Sequence, residues 1–295
     1  MVQNKGMAQA GSIGVIIGNR DFFPDRLVSE ARIEIIDLFK EMGINPVMLD
    51  TEATKLGGVE TFQDAQKCAR LFMDHRDEII GVLVVLPNFG DERGVAETLK
   101  LADLNVPVLV QGYPDDLDKL DVARRRDSWC GKISACNNLY QFGIKYTLTT
   151  KHVVRPQDPS FKADLLDFMG VCRITKGLRK VRIGAIGARP GGFNTVRYSE
   201  KILQRNGISV VTVDLSEILG HANKLTQHDS SVAERLQRIK DYAPTGRTPD
   251  EALIQMAKLD VALSAFVEAN VLDATAIQCW TSVQTNYGCN VCTSM

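Results

Sequence analysis

Short apolar runs ending in Gly, Pro or Asp alternate along the chain with longer segments whose apolar residues recur every three or four positions. Residues 12–18 form the first apolar run and read as a strand. In residues 25–42, Leu27, Ala31, Ile35, Leu38 and Met42 share one face, the spacing of an amphipathic helix, and Gly43 stops it. Residues 46–50 predict a strand and residues 61–77 a helix. The unbroken apolar run 79–86 predicts a strand covered on both faces. A helix over 92–104 and a strand over 107–112 follow. Strands and helices in this order imply a parallel sheet wrapped by helices.

The order restarts at Lys180, with a strand over 181–188, a helix over 195–206 and a strand over 209–214. Gly43-Ile-Asn-Pro-Val-Met-Leu-Asp50 parallels Gly207-Ile-Ser-Val-Val-Thr-Val-Asp214, with Gly, Ile, Val and Asp at matching offsets. Ile13-Gly14 leading to Arg20 likewise parallels Ile183-Gly184 leading to Arg189. The expected fold is two doubly wound α/β domains, residues 12–173 and 174–295. Their join, residues 155–180, holds Arg155-Pro-Gln-Asp-Pro159 and a helical pattern over 161–178. The cations Arg173, Lys176, Arg179, Lys180 and Arg182 cluster at its end, where they suit a helix C-terminus. Further on, Thr248 and Asp250 are candidate N-caps for a helix from Glu251.

Charge narrows the function classes. With 35 basic and 36 acidic side chains in 295 residues, nothing draws the chain in bulk to nucleic acid or to anionic lipid. No apolar run approaches the ~20 residues that span a bilayer. Residues 1–11 lack the charged-then-apolar order of a signal peptide. A cytoplasmic protein without membrane or nucleic-acid partners is expected. The seven cysteines are scattered and odd in number, which suits structural thiols better than a disulfide framework. Cys289-Asn-Val-Cys292 has no second pair to complete a zinc site.

Ligands of parallel α/β sheets bind beyond the carboxyl ends of the strands. Four such loops stand out: Gly18-Asn-Arg-Asp-Phe-Phe-Pro24, Pro87-Asn-Phe-Gly-Asp-Glu92, Gln111-Gly-Tyr-Pro-Asp-Asp116 and Gly187-Ala-Arg-Pro-Gly-Gly-Phe-Asn194. In the last, Arg189 supplies a rigid cationic fork and Asn194 can both donate and accept. Its glycines do not give the dinucleotide fingerprint, and Pro190 intrudes where a helix N-terminus should present free amides. A structural turn without a ligand is the alternative for this loop. Asp273-Ala-Thr-Ala-Ile-Gln-Cys-Trp280 reads as a strand that delivers Gln278 and Trp280 to its end. An indole offers sugar C–H groups an apolar face, and a carboxamide can bond hydroxyls, although plain packing also explains Trp280. The run Arg124-Arg125-Arg126, flanked by Asp121 and Asp127, reads as a solvated face, and the four histidines form no ligand pattern.

Arg182-Ile-Gly-Ala-Ile-Gly-Ala-Arg-Pro-Gly-Gly-Phe-Asn194 and Ile277-Gln-Cys-Trp280 resemble the L-fucose/L-arabinose isomerase family, fucose-isomerase-like branch. Val84-Val-Leu-Pro-Asn-Phe-Gly90 and Asp127-Ser-Trp-Cys-Gly-Lys132 resemble it too, in the expected order. The resemblance implies two Rossmann-like α/β domains followed by a third. It also implies aldose–ketose interconversion with a divalent metal, commonly manganese, and acidic side chains that move a proton through an enediol. Family members form oligomers that share sites between subunits, so a homo-oligomer is expected. The acidic Cys-Glu-x-Asp-like segment of the family is not found before Met295, and no matching histidine can be assigned. The chain therefore reads as the N-terminal portion of a metal-dependent ketol isomerase acting on a deoxy sugar or pentose, with the third domain missing. Arg189, Asn194, Gln278 and Trp280 are the expected sugar contacts. No catalytic residue or metal ligand is assigned, and these residues alone are expected to show no turnover and to bind no metal firmly. A non-catalytic, two-lobed sugar-binding module is the alternative.

Overall fold

A computed structural model of the protein describes residues 11–292 and 294. Two compact units follow one another, the first ending at Lys176 and the second beginning at Gly177. The first unit runs β1 (Ser12–Ile17), α1 (Arg26–Met42), β2 (Pro46–Val47), α2 (Phe62–Asp74), β3 (Ile79–Leu86), α3 (Glu92–Ala102), β4 (Val108–Gly112), α4 (Ser128–Gln141), β5 (Thr147–Leu148) and the start of α5 (Pro159–Leu178). Its five strands pair in parallel in the order β2-β1-β3-β4-β5. The chain steps outward from β1 to β2 and then returns to the other side of β1, so the topological switch point lies between β1 and β3.

Helices cover both faces of this sheet. Val28, Ala31, Ile35 and Phe39 of α1 share one core with Phe161, Leu165 and Phe168 of α5. Ala65, Ala69 and Phe72 of α2, Val95 of α3 and Leu139 of α4 build the other. Every residue of β1 and β3 is buried, which the apolar run 79–86 foretold. Gly43 takes the left-handed conformation, φ 66°, and ends α1 where expected. Thr61 and Asp64 exchange side-chain and backbone hydrogen bonds in a capping box that starts α2. The strand predicted over 46–50 shortens to two residues at the sheet edge, where Pro46 lacks an N–H for a ladder. Predicted helices 61–77 and 92–104 end earlier, at Asp74 and at Ala102, the latter because Asp103 turns left-handed at φ 42°. The Arg173/Ile174 position lies inside α5, which continues to Leu178.

The second unit contains β6 (Arg182–Ile186), α6 (Glu200–Arg205), β7 (Ser209–Val213), α7 (Leu215–Lys224), α8 (Ser230–Tyr242), α9 (Asp250–Asn270), β8 (Ala274–Ile277) and a π-helical turn at Val283–Tyr287. The strands pair in parallel in the order β7-β6-β8. Ile186, Leu215, Ile218, Leu259, Leu263, Val283 and Tyr287 form its main core. The helix predicted over 195–206 contracts to α6, preceded by a 3-10 turn at Asn194–Val196, because that stretch buries no side chain and has no tertiary face to stabilise it. Neither Thr248 nor Asp250 caps α9 with its side chain. Asp250 is already in the first turn, where its carboxylate meets the positive end of the helix dipole. All seven cysteines are free, with Cys289 buried and Cys292 exposed. Among the described residues no helix is long and apolar enough to cross a membrane.

Candidate functional site

At the carboxyl edge of the first sheet, the loops after β1 and β3 meet across the switch point. Asn19 and Asn88 are 1% and 0% exposed. Asn88 Nδ2 donates to Asn19 Oδ1 at 2.7 Å, and Asn19 Nδ2 donates to Glu60 Oε2 at 2.7 Å. Asn88 Oδ1 in turn accepts from the Gly90 amide at 2.9 Å. Two buried carboxamides thus fix both loops in register, each bond sheltered from competing water.

Aromatic rings and guanidinium groups stand on this frame. Phe89 stacks on Phe23 with centroids 6.3 Å apart, and Phe22 lies 4.7 Å from Phe23. The Arg20 guanidinium carbon sits 4.8 Å from the Phe89 ring centre, a cation–π contact. Among the described residues this guanidinium has no hydrogen-bond or ion-pair partner, so its donors are available to a ligand. Arg126 is the reverse case and corrects the solvated face expected of its run, since it is buried against Tyr113, 5.0 Å from the ring centre. Its Nη1 donates to Pro87 O at 3.1 Å and its Nη2 lies 3.4 Å from Glu30 Oε2. Its backbone amide and that of Asp127 both donate to Asp115 Oδ1, at 2.8 and 3.1 Å. Arg124 does remain exposed and pairs with Asp121. The Tyr113 hydroxyl donates to Glu34 Oε2 at 2.8 Å, and burial pushes its phenol well above the usual range.

Helix α4 brings its first turn against the same edge. A Cβ at Gly131 would overlap the Phe89 carbonyl, so only glycine permits this approach. The next residue, Lys132, is wholly buried and donates to Thr149 Oγ1 and His152 O, each at 2.7 Å. Burial pulls its ammonium down to about 8, against the opposing influence of Cys136 and Asp164. The Trp129 and His152 rings lie 4.9 Å apart. The first unit therefore offers an aromatic platform, a free guanidinium and fixed carboxamides beside one another, a set suited to a polyhydroxylated ligand.

The residues expected to contact sugar all lie in the second unit. Gln278 lines a cavity of about 790 Å³ at the carboxyl ends of β6 and β7, together with Ala188, Asp214, Glu217 and Asn286. Its Oε1 accepts from the Ala188 amide at 2.9 Å, and its Nε2 lies 3.5 Å from Trp280 O, which ties two strand ends together. Gly187, at φ 78°, makes room for it, since a Cβ there would sit 2.8 Å from Gln278 Oε1. Trp280 is 56% exposed and meets Phe193 edge-on at 5.4 Å. Arg189 folds back on its own loop, with Nη1 donating to Pro190 O at 3.1 Å and Phe193 O at 3.2 Å. Asn194 begins the 3-10 turn and its carbonyl accepts from Arg197 Nε at 3.3 Å. Of the four, Gln278 lines the cavity, Trp280 stands beside Gln278, and Arg189 and Asn194 lie outside the lining. Asp214 caps α7 by accepting from the Ser216 amide at 2.8 Å, and the Ser216 side chain together with that amide holds its carboxyl below the usual range.

Sequence reasoning picked out the loops after β1 and β3 but not Asn19, Arg20, Asn88 or Phe89 within them. Only the strand order places those loops side by side. Among the described residues no three His, Cys, Asp or Glu side chains converge as metal ligands.

Comparison with known proteins points one way. The profile described as "Fucose/sulfoquinovose isomerase, N-terminal domain" matches residues 14–179, more than half of the chain and nearly all of the first unit. The sulfoquinovose isomerases of Priestia aryabhattai and Priestia megaterium are each 24% identical to it over 141 residues. That stretch is 48% of this chain and 31% of each relative, so the match spans less than a third of their length. Through its first unit, the chain belongs to the fucose/sulfoquinovose isomerase family.

Proposed function

We propose that the chain is the N-terminal portion of an aldose–ketose isomerase, and that the edge between β1 and β3 binds its sugar. The free Arg20 guanidinium resting on Phe89, beside the buried Asn19–Asn88 pair, carries this reading. A ring face of the sugar stacks on Phe89, and hydroxyl or anionic substituents accept from Arg20. Within the second unit, Gln278 holds the 187–188 turn and Trp280 meets Phe193, with Arg189 and Asn194 shaping the loop beside them. Dependence of the whole protein on a divalent metal, manganese above all, belongs to the same proposal and rests on the motif resemblance described above. So do a cytoplasmic location and self-association into a homo-oligomer.

The test is proton NMR of L-fucose and of sulfoquinovose in D2O, with the full-length gene product and manganese. Ketose formation with deuterium entering at C1 of the ketose, and at C2 of any aldose returned by the reverse reaction, is expected, because a proton that passes through an enediol exchanges with solvent. Saturable sugar binding without conversion would replace this reading with a non-catalytic sugar-binding module.

A further inference from the structure

Between β4 and α4, residues 116–125 form a projection whose two ends are closed on one carboxylate, Asp115, through the amides of Arg126 and Asp127 at 2.8 and 3.1 Å. The near end is pinned further by Asp116, which pairs with Arg155 and Lys119. Beyond that neck the loop bonds mainly to itself. Lys119 N donates to Asp116 O at 2.8 Å, the amides of Arg124 and Arg125 donate to Asp121 O at 3.0 and 2.9 Å, and the Arg124 side chain pairs with Asp121. Closed ends and internal bonding define a compact Ω-type loop that can move as one body. Its apolar side chains are uncovered, with Leu117 89%, Leu120 57% and Val122 70% exposed. The far end reaches the aromatic cluster, where the Arg125 guanidinium carbon lies 5.6 Å from the Phe23 ring centre. Phe22, packed on Phe23, and Trp129, in the first turn of α4, are themselves 61% and 52% exposed.

We propose that residues 116–125 are a lid that closes over sugar bound at the β1/β3 edge and sets Leu117, Leu120 and Val122 against Phe22 and Trp129. This rests on the sugar site proposed above. Closure gives three stranded apolar side chains a partner surface and excludes water from the bound sugar. The anchored neck lets the loop swing without unfolding α4. Such motion requires a firmly held base and apolar side chains without a partner surface, and residues 115–127 supply both.

Hydrogen exchange of the amides of residues 117–124 tests this, with L-fucose and sulfoquinovose as probes and binding followed separately by calorimetry. Saturating sugar should slow exchange in the loop at least several-fold at every protein concentration. Leu120→Ser, at an exposed position, should abolish that protection and raise the sugar off-rate about threefold or more, with thermal stability of the free protein unchanged. Sugar binding that leaves loop exchange untouched would overturn the lid and leave the sugar site standing. Protection that grows with protein concentration in the absence of sugar would overturn it in favour of an interface between copies. Failure to bind either sugar would remove the site reading, and the lid with it.

Discussion

Lys132 shows how much one buried charge can weigh. Its ammonium donates two short hydrogen bonds inside the first unit, yet burial holds it at about 8 against an ordinary 10.5. The folded state therefore releases this proton before the unfolded chain does. Below pH 8 both states are protonated and folding bears the full desolvation cost, a few kcal/mol at ~1.4 kcal/mol per pKa unit. Between pH 8 and 10.5 the unfolded chain holds more proton, so this group's contribution to stability rises with pH and then levels off. The neutral amine keeps two N–H donors, enough for Thr149 and His152. Lys132→Met should remove the effect. The melting temperature of the natural protein minus that of the variant should climb by several degrees from pH 7.5 to 10, read by differential scanning calorimetry at each pH. A difference that stays flat would mean that the ammonium is better solvated than its surroundings imply.

At the scale of elements, the approach of α4 to the loop after β3 is the most exposed to mutation. Gly131→Ala places a methyl on the Phe89 carbonyl, so helix or loop must shift, an overpacking cost of about 1–3 kcal/mol. Sugar affinity should fall alongside, since Phe89 is the platform. Gly170 within α5 is the control, because a Cβ there meets nothing within 4 Å. Gly170→Ala should leave stability equal or higher by up to ~1 kcal/mol, through helix propensity alone. Thermal melts of the two variants separate a steric requirement from a general sensitivity to substitution. The elements themselves were largely legible in the sequence. The spacing of Leu27, Ala31, Ile35 and Leu38, with Gly43 after them, was enough to place α1, and the apolar run 79–86 is β3. Where burial rather than local pattern decides, reading failed. The predicted helix 195–206 had propensity but no surface to pack on, so only α6 formed. In the stretch that became α4 and β5, no clear periodicity gave a prediction, since α4 buries Gly131, Lys132 and Cys136 as well as Leu139.

For the whole molecule, what sequence could not reveal was which strands lie side by side. Asn19 and Asn88 are far apart in the chain and meet only because β1 and β3 pair in parallel. The same pairing brings Arg20 onto Phe89. Arg126, one of three consecutive arginines, is buried by Tyr113 and Pro87 from separate parts of the fold, a role that its charged neighbours conceal. The family match covers the first unit, and there the aromatic and polar groups converge; the residues singled out beforehand lie in the second. The central claim is that the edge between β1 and β3 is a sugar site. Calorimetric titration of L-fucose and sulfoquinovose into the protein, its Arg20→Ala variant and its Phe89→Ala variant tests it most directly. Removing the free guanidinium should weaken binding by roughly 1.5–3 kcal/mol, about ten- to a hundredfold. Loss of the ring should weaken it by a similar factor, with melting temperatures within a few degrees of the parent. Saturable binding that neither substitution alters would contradict the claim.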